Sequence, residues 1–251
     1  SISEDKAELL LPTAMIYHNI FEETDAEFMW LSGITICDGM AADFAECKEH
    51  IVPAHPFSDD IISVSRKLAE RFCCDTEHIH QVEIAALKLF DALRKANHLT
   101  KKDRLLLQIA AILHNCGSFL NLNDIGENSY KIVTSTEIIG LSHQERMIVA
   151  YVIRYTTGDF PEYSEIKNEF SREEYIKIAK LNAILCLADA MDRSHQQKFT
   201  NFTVRKRGYD LTITGQTLYD ITLEHGMFIQ KSPFFEEAFG IRPVLRQKKC
   251  L

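Results

Sequence analysis

Four polar residues stand where a helical pattern wants apolar neighbours or a helix end: His78, His114, Asn115 and Asp189. His114 closes the apolar run LLLQIAAILHNCGSFLN (105–121), which the spacing predicts to be a helix stopping at Gly117. Asp189 lies in LNAILCLADAMDRSH (181–195), flanked by Leu187, Ala188 and Ala190, and a carboxylate in such surroundings requires a partner. Imidazoles and acids delivered by separate helices bind a hard or borderline divalent ion through N and O ligands. Such an ion polarises a phosphoryl group and generates hydroxide. Each residue also has an ordinary structural use. A His at a helix C-terminus is favoured by the dipole and caps the last carbonyls. His78 near a helix start can be simply exposed, and Asp189 can pair with Arg193 at i+4.

These residues need helices to carry them. Asp75 is an N-cap for TEHIHQVEIAALKLFDALRKANH, in which Val82, Ala85, Leu89 and Leu93 recur on one face. Further helices are predicted at about 101–115, 127–135, 142–156 and 172–194. Ser142 with Glu145, and Ser171 with Glu174, form capping boxes. Upstream, 5–22 has helical spacing with Pro12 as a kink or a late start, part of FMWLSGITI (28–36) reads as a strand, and 37–50 restarts as a helix. VPAHPF (52–57) breaks that helix. After 199 the texture alternates. FTVRKRGYDLTITG is a hairpin signal around Gly208, LYDITLE a further strand, KSPFFEEAFG a short helix with Pro233 early and Gly240 as its stop, and IRPVLRQ a closing strand.

The chain has 251 residues, 46% hydrophobic and 25% charged, which is ordinary globular composition. A net charge of −8 argues against a nucleic-acid duplex as partner, while leaving room for a local basic patch. The seven cysteines form no CxxC pair and are expected as reduced, buried thiols of a cytoplasmic protein. No run approaches the ~18 apolar residues of a membrane span, and no signal peptide opens the chain.

The spacing of His, His-Asp and Asp outlines the HD phosphohydrolase fold. TEHIHQVEIAALKLFDAL, LLLQIAAILHNCGSFLN, NSYKIVTSTEIIGLSHQERMIVAYVIRY and ILCLADAMDRSH resemble, in that order, the helical HD-like domain of the exopolyphosphatase / guanosine pentaphosphate phosphatase (Ppx/GppA) family. LPTAMIYHNIFEE and WLSGITICDGMAADF resemble the stretch before it, the end of the second actin-like ATPase-fold domain. The resemblance implies a mainly α architecture: residues 1–52 as a partial actin-like domain II, 53–198 as the HD-like helical domain, and 199–251 as a small C-terminal α+β domain. It implies a homodimer, polyphosphate or guanosine pentaphosphate as ligand, and Mg²⁺ in the whole enzyme.

The sequence departs from the family pattern in two ways. The family's phosphate-binding loops belong to an actin-like region, and the ten glycines here never fall as GxGxxG or GxxxxGK[ST]. The chain, which does not open on Met, is therefore expected to be the C-terminal part of a longer protein, or else a natural short relative. The HD residues are also incomplete. Asn115 replaces the acid, Asn128 stands before Ser129-Tyr130 where a His is expected, and Thr156 follows Arg154-Tyr155 where another is expected. His78, His114 and Asp189 remain as ligands for one ion at most, so neither a di-metal centre nor any tightly bound cofactor is expected in this chain. The resemblance implies Lys131, Arg154 and Arg193 as polyanion contacts, brought near the pocket by the family pattern. The function this resemblance implies is the accessory part (helical platform, dimerisation, polyanion binding) of an exopolyphosphatase / guanosine pentaphosphate phosphatase-type phosphoanhydride hydrolase, inactive by itself. Two other functions fit the same residues: a self-contained HD-type metallophosphohydrolase acting on a nucleotide or phosphomonoester, and a non-catalytic ligand-sensing or scaffold module.

Overall fold

The structure is a computed structural model, described here for residues 4–24, 28, 33, 36–47, 57–97 and 99–248. Compactness divides the chain once, into Ser1–Ala54 and His55–Leu251. In the first unit α1 (Glu4–Glu22) runs through Pro12 without a late start, and α2 (Ile36–Cys47) follows. The strand expected within 28–36 lies largely outside the described residues; Ile36 already begins α2.

The second unit is built on helices α3 (Phe57–Arg71), α4 (Thr76–Asn97), α5 (Lys101–Leu113), α6 (Ile125–Ser135), α7 (His143–Arg154), the single turn α8 (Tyr163–Ile166) and α9 (Arg172–Ala190). Its core lies where α4, α5, α7 and α9 meet. Val82, Ala85, Leu89 and Leu93 of α4 are fully buried, which is the face the sequence pattern selects. In α9 every residue from Leu181 to Ala188 is buried, so this helix is apolar all round because it has no solvent face over that stretch. The polar Asn182 is tolerated there because its amide donates to the Val152 carbonyl at 2.7 Å. The two expected capping boxes start α7 and α9, and a third, Thr100 with Asp103, starts α5.

The C-terminal segment forms a three-stranded sheet of order β1 (Asn201–Arg207), β2 (Asp210–Gln216) and β3 (Arg242–Lys248). β1 and β2 are an antiparallel hairpin turning at Gly208, whose φ of 56° favours glycine. β2 and β3 are parallel, and α10 (Thr222–Phe239) makes the crossover that parallel strands require. Two expectations are corrected by α10. LYDITLE is not a strand: the Asp220 carboxylate accepts from the Thr222 backbone N–H at 3.0 Å and from its hydroxyl at 2.6 Å, and the chain enters a helix there. The helix at KSPFFEEAFG begins upstream at Thr222, and Pro233 is interior rather than early. Phe228 and Phe235, buried on either side of Pro233, anchor the helix through the hydrogen bond that proline cannot donate. Gly240 ends it with φ 63°, as expected.

The cysteine expectation also needs revision. Cys74, Cys116 and Cys186 are buried free thiols, but Cys37 and Cys73 are exposed, Cys73 because it takes the left-handed turn (φ 50°) that closes α3. No helix among the described residues is long and apolar enough to cross a membrane.

Candidate metal centre

Three helix-borne side chains converge at one end of the core. Asp189 Oδ1 lies 3.4 Å from His78 Nε2 and 3.6 Å from His114 Nε2, and the two Nε2 atoms are 3.2 Å apart. His78 and His114 are buried, and Asp189 is 16% exposed, so the cluster has one side towards solvent. Local sequence explains each placement. Asp75 caps the start of α4 by accepting from the His78 backbone N–H at 3.2 Å, which puts His78 in the first turn facing inward. His114 is the C-cap of α5. Asp189 sits in the last turn of α9.

The turn after His114 differs from the expected one. The helix ends at Leu113, and Gly117 is no left-handed stop; it lies inside a 3-10 turn, Cys116–Phe119. Its role is close approach: a Cβ there would come within 2.2 Å of the Ile125 carbonyl and 2.5 Å of the Ser129 nitrogen. Ser129 fixes this contact by donating its hydroxyl to the His114 carbonyl at 2.8 Å and accepting from the Gly117 N–H at 2.7 Å.

Both imidazoles have their outer nitrogen committed. His78 Nδ1 bonds Asp192 Oδ2 at 2.9 Å, and His114 Nδ1 bonds the Ala111 carbonyl at 2.7 Å. A carbonyl only accepts, so His114 Nδ1 carries the proton and its Nε2 offers a lone pair. The Asp192 carboxylate assigns the same tautomer to a neutral His78. Two lone pairs 3.2 Å apart repel unless a proton or a cation lies between them. Burial disfavours the His78 imidazolium, but the carboxylates of Asp189 and Asp192 outweigh it and raise His78 to about 9. Burial likewise opposes charge on Asp189, and its bonds to His114 and His78 hold its carboxyl far below the usual carboxylate range. The cluster is therefore arranged for positive charge at its centre.

The same donors fit a metal ion. Four-coordinate ions with bonds of ~2.0–2.1 Å have ligand-to-ligand edges of roughly 3.4 Å, the value about which the three separations here scatter. Two imidazoles and one carboxylate suit zinc or another borderline ion better than Mg²⁺. A carboxylate or backbone carbonyl behind each ligating His is the usual outer support of such a site.

Asp192, Gln197 and His195 were not singled out from sequence. Asp192 is buried and accepts from the Gln197 backbone N–H at 2.7 Å; His195 stacks on His78 at 3.6 Å and bonds Asp75 at 3.0 Å. A signal for Asp192 was present, since it follows Asp189 by three residues, one helical turn. His195 and Gln197 depend on left-handed backbone (φ 54° and 47°) that no pattern announces.

The other expected pocket residues make their bonds elsewhere. Asn115 begins the 3-10 turn through its carbonyl, which accepts from the N–H and hydroxyl of Ser118. The Asn128 amide donates to the Asn123 carbonyl at 3.2 Å, and the Thr156 hydroxyl to the Ile153 carbonyl at 2.9 Å. Of the expected polyanion contacts, Lys131 pairs with Glu127 at 3.9 Å and Arg193 with Asp189 at 3.6 Å. Arg154 bonds Glu127 at 2.7 Å and stacks over the Tyr130 ring.

Known proteins resemble this chain over the same helices. Residues 62–231 match the family model for Ppx/GppA phosphatase, domain III. The chain is 23% identical over 200 residues to a guanosine-5'-triphosphate,3'-diphosphate pyrophosphatase of Aeromonas salmonicida (strain A449). The alignment covers 78% of this chain and 38% of that protein, so the chain spans well under half of that relative's length.

Proposed function

Because the chain belongs to the Ppx/GppA phosphatase family, we propose that it is the C-terminal accessory region of a phosphoanhydride hydrolase, supplying a helical platform, a dimer surface and contacts to a polyanionic substrate. Polyphosphate or guanosine pentaphosphate is the substrate, and hydrolysis takes place with Mg²⁺ in an actin-like region outside this chain. The observation that carries this is the match to domain III over most of the compact helical unit. Lys131 and Arg154 lie beside Glu127, and Arg193 beside Asp189, so each of the expected cations is balanced by a carboxylate. The test is phosphate release from polyphosphate and guanosine pentaphosphate by the purified chain with Mg²⁺. None is expected. Turnover that disappears in His114→Ala would overturn the accessory role.

A second reading is favoured by the donor spacing at His78, His114 and Asp189: a mononuclear metal centre of a self-contained HD-type phosphohydrolase acting on a nucleotide or phosphomonoester. An ion held there supplies Lewis acidity and an activated water. Three donors suffice for one ion and not for two, since Asn115 brings no charge. Equilibrium dialysis against Zn²⁺ is expected to give one equivalent, abolished in His114→Ala. Two equivalents, or none, would defeat the mononuclear centre.

A further inference from the structure

We propose that Cys74 and Cys116 are a modification site: an oxidant of the peroxide class joins them in a reversible disulfide that ties together the two segments carrying His78 and His114. This goes beyond the accessory function and stands whether or not an ion occupies the centre. Cys74 ends the turn after α3 and directly precedes Asp75, the cap of α4. Cys116 opens the 3-10 turn after α5, two residues beyond His114. α4 and α5 pack against each other, and this sets the end of α5 beside the start of α4. Cysteines 42 positions apart in the sequence meet for that reason.

The two Sγ atoms lie 3.3 Å apart, and both side chains are buried. A buried cysteine ordinarily serves as a small apolar filler. Filling asks only for contact with carbon, at roughly 3.5–4.0 Å. Here sulfur faces sulfur at a shorter distance. A disulfide bond is about 2.05 Å long, so the two atoms have roughly 1.2 Å to close. Cys186, the other buried thiol among the described residues, instead faces the Tyr155 and Thr156 carbonyls and the Asn182 amide oxygen. Cys73, on its left-handed turn, is exposed.

Exposure sets the order of events. Cys74 is 7% exposed and Cys116 not at all, so Cys74 meets the oxidant. Its sulfur bonds one oxygen of hydrogen peroxide as the O–O bond breaks, which leaves a sulfenic acid and one water. A sulfenic acid condenses with a neighbouring thiol. The sulfur of Cys116 attacks that of Cys74, the S–S bond forms and the S–O bond breaks. The hydroxyl departs with the Cys116 proton as a second water. Both sulfurs are oxidised, and one peroxide is reduced to two waters. The bridge closes a long loop, spanning α4 and α5, and so restricts the unfolded chain.

The experiment treats the reduced full chain with a small excess of hydrogen peroxide under native conditions, alkylates the remaining thiols and maps the peptides by mass spectrometry. The expected product is a cross-link between the peptide that holds Cys73 and Cys74 and the peptide that holds Cys116, lost again on treatment with dithiothreitol. Cys73→Ser should keep the link, which assigns it to Cys74. The linked chain is expected to melt roughly 5–10 °C above the reduced chain. Cys116→Ala, treated in the same way, should form no link and show no such rise. Wild type and Cys73→Ser decide the question by themselves if Cys116→Ala does not fold. A link lost in Cys73→Ser, a bridge between two copies, or sulfinic acid at Cys74 in place of the link overturns the proposal. A linked chain that melts no higher than the reduced one overturns it as well.

Discussion

At the scale of single residues, the candidate metal centre depends on a side chain that would not touch the ion. Asp192 is buried and bonded to His78 Nδ1, so it fixes which nitrogen of His78 faces Asp189 and His114. Asp192→Asn keeps the shape and removes the charge, and its amide can present an N–H to the ring where the carboxylate only accepted. Zn²⁺ affinity is expected to fall 10- to 100-fold, while the stoichiometry at saturation stays at one. Titration with a competing chromophoric chelator measures this; unchanged affinity would mean that Asp192 does not orient the ring. The residues nearest the centre were legible in sequence because His78, His114 and Asp189 break an apolar helical pattern, and a polar side chain in such a place needs a reason. Asp192 was less legible because it lies past the end of α9, where burial no longer follows helical spacing. His195, which stacks on His78 from a left-handed turn, left no periodic trace.

At the scale of elements, helices with capping boxes and one apolar face were legible from local chemistry alone, as at Ser142 and Ser171. The C-terminal crossover was not, because its helix owes its N-terminal docking to distant partners. Glu224, in the first turn of α10, is fully buried and meets Lys198 at 3.1 Å and the Ser194 hydroxyl, both from the segment that follows α9. Burial raises the cost of its charge, yet Ser194 and Lys198 outweigh that and lower its carboxyl below the ordinary value of 4.5. A group with a depressed folded pKa stabilises the fold fully above its unfolded pKa and loses that contribution as pH falls through the folded value. Glu224→Gln strands the Lys198 ammonium, and a broken buried pair costs about 3 kcal/mol. Urea unfolding should therefore show the variant well below wild type at pH 7. The gap should begin to narrow as pH drops below about 4.5, where the unfolded chain takes up the proton, and close only below the lowered folded value, where the native carboxyl itself is protonated. A gap that stays constant with pH would show that Glu224 is held by packing and not by charge.

At the scale of the whole molecule, apolar exposure is unevenly distributed. The long helices of His55–Leu251 already bury their apolar faces against one another, and the exposed large side chains of that unit, such as Phe119, Leu120 and Leu122 or Leu218 and Tyr219, lie mostly in the turns between helices and strands. In α1 they are concentrated: Leu9, Leu10, Leu11, Met15, Ile16 and Ile20 are all more than half exposed along one 19-residue helix. These side chains point all round the helix, and so much apolar exposure on one element marks an association site. The larger helices of the second unit have little apolar area left for a dimer, because it is spent inside the core. A homodimer formed through α1 is the expected outcome, with an interface above the ~1,000 Å² of a stable contact. Light scattering at micromolar concentration should give twice the chain mass of 28.8 kDa. A chain starting at His55, the boundary of the second compact unit, should give a monomer. A dimer that persists after this truncation would return the contact to the helical unit, and a monomeric full chain would leave the exposed side chains of α1 without a second copy to cover them.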